Sequence, residues 1–438
     1  MVQYLKLTSV IKRPLRTILQ YKLEARLFFL VIAALGFTID GVYSVLMNIY
    51  LLRLGYGTEY IGLLNAVALL TFAVVSLPAG ILGARWSNIL MLKIGVGFTF
   101  AGGLLLPMAE SIPREWQDGW LIVTYAMLLC GFSLFFVNGA PFLMNTVAEE
   151  RRNSAFATQT ALLSLAAFVG SLIGGALPEF LVTLQNLGMN DPAPYRMTLM
   201  SVTLVLSAAF ILILMIKDIP ESTPSESVVG YASSSGSPQI VQWALPTIIL
   251  IAIMTVTRLF QVAGMATALV YFNVYMDSQL QVSTGMIGTI AAIGRLLGVP
   301  TALIVPSLIK RWGKGNVVIW GSLATAACLL PMALVEHWLA AAIGFIGMLA
   351  MTSIRFTAFV VYILELVPKV QQSVMIGSGE MAAGFSFAIM ALGGGIILSL
   401  FTFRDLFLVG ASLTALGTLV FWLHFRTVKT KRKVSPAI

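Results

Sequence analysis

Four ionisable residues stand inside stretches made almost wholly of apolar side chains: Asp40, Arg258, Arg295 and Arg355. If those stretches cross a bilayer, a charge at mid-depth costs about 2.5–3.5 kcal/mol on insertion scales, so such a residue is expected to face a partner or a wet cavity. Three arginines against one aspartate leave positive charge in excess. Arginine stays protonated at any working pH, and its planar fork matches a carboxylate or phosphate. Asp40 can take up and release a proton, with its protonation set by burial and neighbouring charge. An anion competing with Asp40 for Arg258 or Arg355 would favour the protonated acid, which is a route for coupling proton to solute. Asp40 is therefore expected to be the proton carrier, with Glu380 as the second candidate. Gln261 lies three residues after Arg258, on the same helical face. Asn48, Asn138 and Asn273 add neutral hydrogen-bonding groups at span positions, and Asn138 precedes Pro141, where a helix can kink. Such residues also serve simply to bond one helix to the next.

The composition narrows the chemistry further. Of 438 residues, 58% are hydrophobic and 10% charged, against about 25% charged in a soluble domain. Too few charges exist to coat a soluble surface. The two cysteines, Cys130 and Cys328, lie in apolar runs, and His337 and His424 are the only histidines. No disulfide framework, metal site, haem or other cofactor is expected. The absence of a G-x-x-x-x-G-K-[ST] loop argues against an ATP motor, and no nucleophile triad or metal-and-carboxylate set suggests an enzyme.

A membrane-crossing helix needs about 20 apolar residues. Twelve runs meet that length, near 26–52, 60–84, 88–109, 117–146, 154–182, 195–217, 241–276, 283–309, 315–335, 338–367, 374–401 and 404–425. The net charge of +9 is unevenly placed: with even-numbered topology, 20 of the 27 basic residues fall on the side of both termini. The positive-inside rule puts that side in the cytoplasm. The basic balance is thus topological, and with the charges scattered over separate loops no nucleic-acid partner is expected. Residues 1–25 read as a basic cytoplasmic tail without a cleavable signal, and 426–438 as a second basic tail. Residues 218–239 hold seven serines between Ser222 and Ser237, with Pro220, Pro224 and Pro238. This composition is a flexible linker, here cytoplasmic and separating residues 26–217 from 240–425.

The two segments repeat. Arg85-Trp86 follows the second span and Arg311-Trp312 the eighth; Ile61-Gly62 matches Ile287-Gly288 at the same offset. Asn48-Ile49-Tyr50 matches Asn273-Val274-Tyr275 one residue out of step, and Gly174-Gly175 matches a pair within Gly393–Gly395. Four matches in order indicate a duplicated six-span unit.

Over residues 20–426 the chain resembles the major facilitator superfamily. Gly80, Leu82 and Arg85 match the family's signature loop G-x-L-x-D-R-x-G-R-[RK], although Ala84 stands at the acidic position and Ser87 and Asn88 replace glycine and arginine. The second copy keeps Arg311, Gly313 and Lys314, with Lys310 at the acidic position. The resemblance implies an all-α membrane protein of twelve transmembrane helices in two six-helix bundles about a pseudo-two-fold axis, and a conformational role for Gly80, Arg85, Arg311 and Gly313. It implies that the first, fourth, seventh and tenth spans line a cavity, which places Asp40, Arg258 and Arg355 there, and that the eighth span packs between the halves, which gives Arg295 an expected structural role. Gly170 to Gly175 resembles the family's antiporter stretch, with Ser171 in place of proline; Ala166, Gly170 and Gly174 also form a small-residue face for helix packing.

The expected function is secondary active transport of a small organic solute by alternating access, as proton-coupled export. Alternatives are uptake of an organic anion or metabolite, a lipid flippase, or a non-transporting receptor or scaffold of the same fold. The expected partners are a small-molecule substrate, protons and the lipid bilayer, with the protein acting as a monomer in the plasma (inner) membrane.

Overall fold

A computed structural model describes residues 21–188, 190–217, 245–367 and 369–434. The linker at 218–239 lies outside the described residues, as do the N-terminal tail to residue 20 and the last four residues of the C-terminal tail.

All regular elements among the described residues are helical. They are α1 (Leu23–Arg53), α2 (Thr58–Arg85), α3 (Asn88–Leu105), α4 (Arg114–Thr146), α5 (Arg152–Gln185), α6 (Ala193–Leu214), α7 (Leu245–Val274), α8 (Thr284–Trp312), α9 (Lys314–Leu334), α10 (Trp338–Leu364), α11 (Lys369–Leu400) and α12 (Phe403–Val434). Eleven are long and apolar enough to cross a membrane. In α8 the apolar stretch is Thr284–Gly298, and the helix continues through Pro300 and Pro306 to Trp312. A bilayer offers the backbone no water, so helices that close their own hydrogen bonds are the stable way across. Short polar breaks end them: α5 stops at Asn186 in the left-handed conformation (φ 55°), and Gly313 (φ 79°) makes the turn from α8 into α9.

Two compact units form. Unit 1 holds α1–α6 together with residues 273–296, that is, the last residue or two of α7, a following π-helical turn at Tyr275–Gln279 and the first half of α8. Unit 2 holds the rest of α7 and α8 with α9–α12.

Within unit 1, small residues bring helices to backbone contact. A Cβ placed on Gly95 would lie 2.7 Å from the Gly131 carbonyl oxygen, and one on Gly102 2.7 Å from that of Thr124, so α3 and α4 cannot be prised apart by a side chain. Phe28 stacks on Phe135 at 5.4 Å and lies 5.1 Å from Phe142, tying α1 to α4. Unit 2 packs Met254, Val305, Val318, Phe359 and Phe421 into one apolar cluster. There the Thr414 hydroxyl accepts the Gly264 N–H at 2.9 Å, joining α7 to α12.

Candidate functional site

In unit 2, α7 and α10 present the site's cations. Arg355 is wholly buried and Arg258 is 6% exposed. Arg355 Nη1 donates to the Gln261 carbonyl at 2.7 Å, which spans the two helices. Its Nε and Nη2 have no partner, and the same holds for Arg258 Nη1 and both polar atoms of the Gln261 side chain. Arg258 and Arg355 lie within electrostatic reach of each other, so each raises the energy of the other's charge. Arg258 stacks on Phe356 and Phe359, its guanidinium carbon 4.9 and 5.6 Å from the ring centroids. Its charged partner is Glu380 of α11, at 3.5 Å from Nη2 and itself 56% exposed. That contact is long for a charge-assisted bond. Buried polar atoms are normally satisfied; here two guanidinium groups and an amide keep open donors and one open acceptor among aromatic walls. Such a set can receive an anion.

Unit 1 treats its charges differently. Residues Gly36–Tyr43 of α1 form a π-helical turn, with Asp40 inside it. Such turns interrupt the regular ladder and often occur at functional positions. The charged neighbour of Asp40 is Arg295 of α8. Arg295 Nη2 donates to Ser44 Oγ at 2.7 Å, and that hydroxyl donates to the Asp40 carbonyl at 2.5 Å. The residue expected to be structural is therefore the one beside the expected proton carrier.

The remaining predicted residues divide between packing and connection. Asn138 gives its amide hydrogens to the Ala79 and Leu134 carbonyls at 3.1 and 2.9 Å. Asn48 accepts from Asn65 at 2.8 Å. Asn273 donates to the carbonyls of Ser44 and Val45 at 2.5 and 3.1 Å, fixing the end of α7 on α1. At Gly170 a Cβ would collide with the Phe37 carbonyl and come 2.9 Å from Gly41 Cα; at Gly174 it would meet Val42 Cα at 3.0 Å. Gly80 has ordinary room, its nearest atom being Val137 Cγ1 at 3.6 Å. Arg85 and Arg311 are exposed at helix ends. No cluster of three or more metal-ligating side chains occurs among the described residues.

Sequence reasoning passed over a further constellation in unit 1. Arg53 bonds both oxygens of Asp277, at 2.8 and 2.5 Å, and lies 5.4 Å from the Tyr195 ring centroid. The Tyr195 hydroxyl is 3.3 Å from Thr284 Oγ1, and Glu179 accepts the Gly285 N–H at 2.7 Å. Both arginine and aspartate follow the matched Asn-x-Tyr triplets at the ends of α1 and α7, and opposite charge at equivalent ends was the available signal.

Twelve long helices in two units, with charge buried at mid-helix and open donors beside it, are the construction of a membrane solute carrier. The sequence profile of the major facilitator superfamily matches residues 26–354 and 256–438, and the chain belongs to that family. No curated protein matches the sequence. Similar solved structures include a mutant of the nucleoside transporter NupG, with a TM-score of 0.69, 14% identity and coverage of 92% of this chain and 100% of that one. A D-xylose–proton symporter has a TM-score of 0.69, 13% identity and coverage of 91% and 96%. A bacterial homologue of the human lysosomal transporter Spinster, inward-facing and occupied, has a TM-score of 0.66, 14% identity and coverage of 92% and 96%. At such identities the likeness is one of fold: the two-bundle, twelve-helix architecture of a secondary transporter.

Proposed function

We propose that the protein is a proton-coupled exporter of a small organic solute bearing a carboxylate or phosphate, held by Arg258 and Arg355. The single observation that carries this reading is the set of unpaired buried donors on Arg258, Gln261 and Arg355. Leaving a buried donor unsatisfied costs about 1–3 kcal/mol, more when charged. A fold that retains three such side chains together gains most when an anion completes them. In this reading the guanidinium forks take the anionic group and Gln261 supplies one donor and one acceptor for a neighbouring polar group. Phe356 and Phe359 flank the organic body. The anion displaces the long contact between Arg258 and Glu380, freeing that carboxylate. Asp40, in its π-helical turn beside Arg295, serves as the protonation switch, with Glu380 second. Export rests on the resemblance of Gly170–Gly175 to an antiporter stretch. Asn48, Asn138 and Asn273 serve the motion by fixing helices to one another. Orientation with both termini in the cytoplasm rests on the placement of basic residues.

The test is a solute screen in proteoliposomes with and without a pH gradient, reading solute movement directly. Organic anions should move, and the gradient should drive their accumulation. Arg258→Gln and Arg355→Gln should each lower anion transport about 100-fold, the equivalent of about 2.7 kcal/mol. Arg355→Lys should recover only part, because the ammonium lacks the fork. Asp40→Asn should retain exchange down the solute's own gradient and lose pH-driven accumulation. Normal transport by both glutamine variants would overturn the anion site. Full accumulation by Asp40→Asn would move the switch to Glu380.

A further inference from the structure

At the turn between α8 and α9, unit 2 carries a groove of about 610 Å³ lined by Leu308, Arg311, Trp312, Trp320, Ala324 and Ile354 among others. Its floor is formed where α9 meets α10, with Gly321 close enough to Arg355 that a Cβ would lie 3.2 Å from the arginine's own. From Asn316 to Ala324 the groove follows α9 over eight residue steps, about 12 Å of helix. That is close to the depth of one leaflet, half of a hydrocarbon core roughly 30 Å thick. Trp312 and Trp320 are 47% and 61% exposed, although indole rings of that size are costly to leave in water. Exposed tryptophans near a helix end suit the headgroup boundary of a bilayer.

The groove's mouth is cationic. Arg311 lines it and is exposed, and Lys310, its exposed neighbour in sequence, stands at the same end of α8; among the described residues neither meets a carboxylate, whereas Lys314 is paired with Glu365. The first turn of α9 faces the same mouth. Gly313, at φ 79°, turns the chain into the helix without offering a capping side chain. The first N–H groups of α9 therefore add partial positive charge beside Arg311. The equivalent turn in unit 1 is built otherwise: Ser87 caps α3 by accepting the Leu90 N–H at 3.4 Å, and Ala84 stands where Lys310 stands here.

We propose that this groove binds an anionic phospholipid, with the headgroup phosphate at Arg311, Lys310 and the start of α9, and one acyl chain along Trp320, Ala324 and Ile354. An apolar slot one leaflet deep with cations only at its outer end matches the shape and charge order of such a lipid. A zwitterionic lipid brings its own cation to the same mouth and gains less. A free phosphate would satisfy the mouth and leave the slot empty. The site lies on the side richest in basic residues, where anionic lipids draw juxtamembrane cations.

Trp312 and Trp320 report on the site directly. The full-length protein is reconstituted into phosphatidylcholine vesicles doped with a minority of phosphatidylglycerol carrying brominated acyl chains, which quench tryptophan on contact. Parallel vesicles carry brominated phosphatidylcholine instead. Subtracting the signal of Trp320→Phe isolates the groove. Quenching of Trp320 should favour brominated phosphatidylglycerol at least about fivefold, the preference expected for each basic residue at the surface. Lys310→Gln/Arg311→Gln should abolish that preference while bromolipid still quenches the protein's other tryptophans. If the double variant does not fold, Ala324→Phe, which fills the slot and leaves the cations, should protect Trp320 from both bromolipids. Equal quenching of Trp320 by the two lipids would overturn the proposal, as would a preference that survives the double variant. Relief of quenching by inorganic phosphate would reassign the mouth to a free anion.

Discussion

In unit 1, Arg53 gives its guanidinium to both oxygens of Asp277, Arg196 meets Glu110 at 2.6 Å, and Arg295 bonds to Ser44 beside Asp40. In unit 2, Arg355 makes one bond to a carbonyl while two of its nitrogens stay open, and Arg258 has only a 3.5 Å contact with a half-exposed glutamate. By their sequence repeats the two halves of the chain read as copies of one six-span pattern. One unit uses buried charge to hold elements together; the other holds charge in readiness. Completed pairs act as fastenings, whereas an incomplete set costs stability that a ligand can return. The contrast makes the sign of a mutational effect on stability, rather than its size alone, the distinguishing quantity.

The largest effect is expected at the fastening. Asp277 is 7% exposed, and removing its partner leaves a buried carboxylate uncompensated. Arg53→Ala should lower unfolding stability by about 3 kcal/mol or more. Arg53→Leu/Asp277→Leu should recover most of the loss, since both charges then leave together. Thermal unfolding of the purified protein in detergent provides the measurement. A single variant as stable as the parent would remove the fastening from the comparison.

An effect of opposite sign is expected in unit 2. Arg355→Met replaces an uncompensated buried cation with an apolar chain of similar length. It should raise stability by about 1–4 kcal/mol while transport of the anionic solute is lost. The same thermal assay, alongside proteoliposome transport, reads both. A destabilised Arg355→Met would mean that the bond to the Gln261 carbonyl is itself a fastening, and the two units would no longer differ in kind.

The helices were legible in the sequence because apolar length and backbone self-satisfaction nearly dictate them; α7 is described from Leu245, and its expected start at 241 lies outside the described residues. The Ser/Pro-rich linker and the Arg-Trp repeats led to the expected halves at 26–217 and 240–425, and positive-charge counting to the expected orientation. The partner of Asp40 was not legible. Arg295 is 255 positions away, and only the packing of α8 on α1 brings it near. The pairing of Arg53 with Asp277 was not legible either, since a one-dimensional pattern does not show that two helix ends meet. The triplets around Asn48 and Asn273 are alike in sequence, but nothing in them tells that Asn48 accepts from Asn65 of α2 or that Asn273 donates to the carbonyls of Ser44 and Val45. Repeats report common descent of position, while hydrogen bonds depend on the neighbour that each position acquires.

The smallest expected difference tests that last distinction with glycine. Gly174-Gly175 of α5 matches a pair within Gly393–Gly395 of α11 in sequence, and Gly170 stands one turn before the first of these pairs. At Gly170 a Cβ would strike the Phe37 carbonyl, which is backbone of α1 and cannot swing aside. At Gly393 nothing lies within 4 Å of the same added atom. Gly170→Ala should therefore force α1 and α5 apart and cost about 1–3 kcal/mol, the usual penalty for overpacking. Gly393→Ala should instead gain about 0.5–1 kcal/mol, because alanine stiffens a helix interior and here meets no obstacle. Measured side by side by thermal unfolding, the two variants should move in opposite directions. If both destabilise, the α11 glycine has a close neighbour in another conformation of the carrier, and its space belongs to the moving parts. If neither does, α1 can yield at Phe37, and the tight contact that the repeat preserved in unit 1 is less rigid than its geometry.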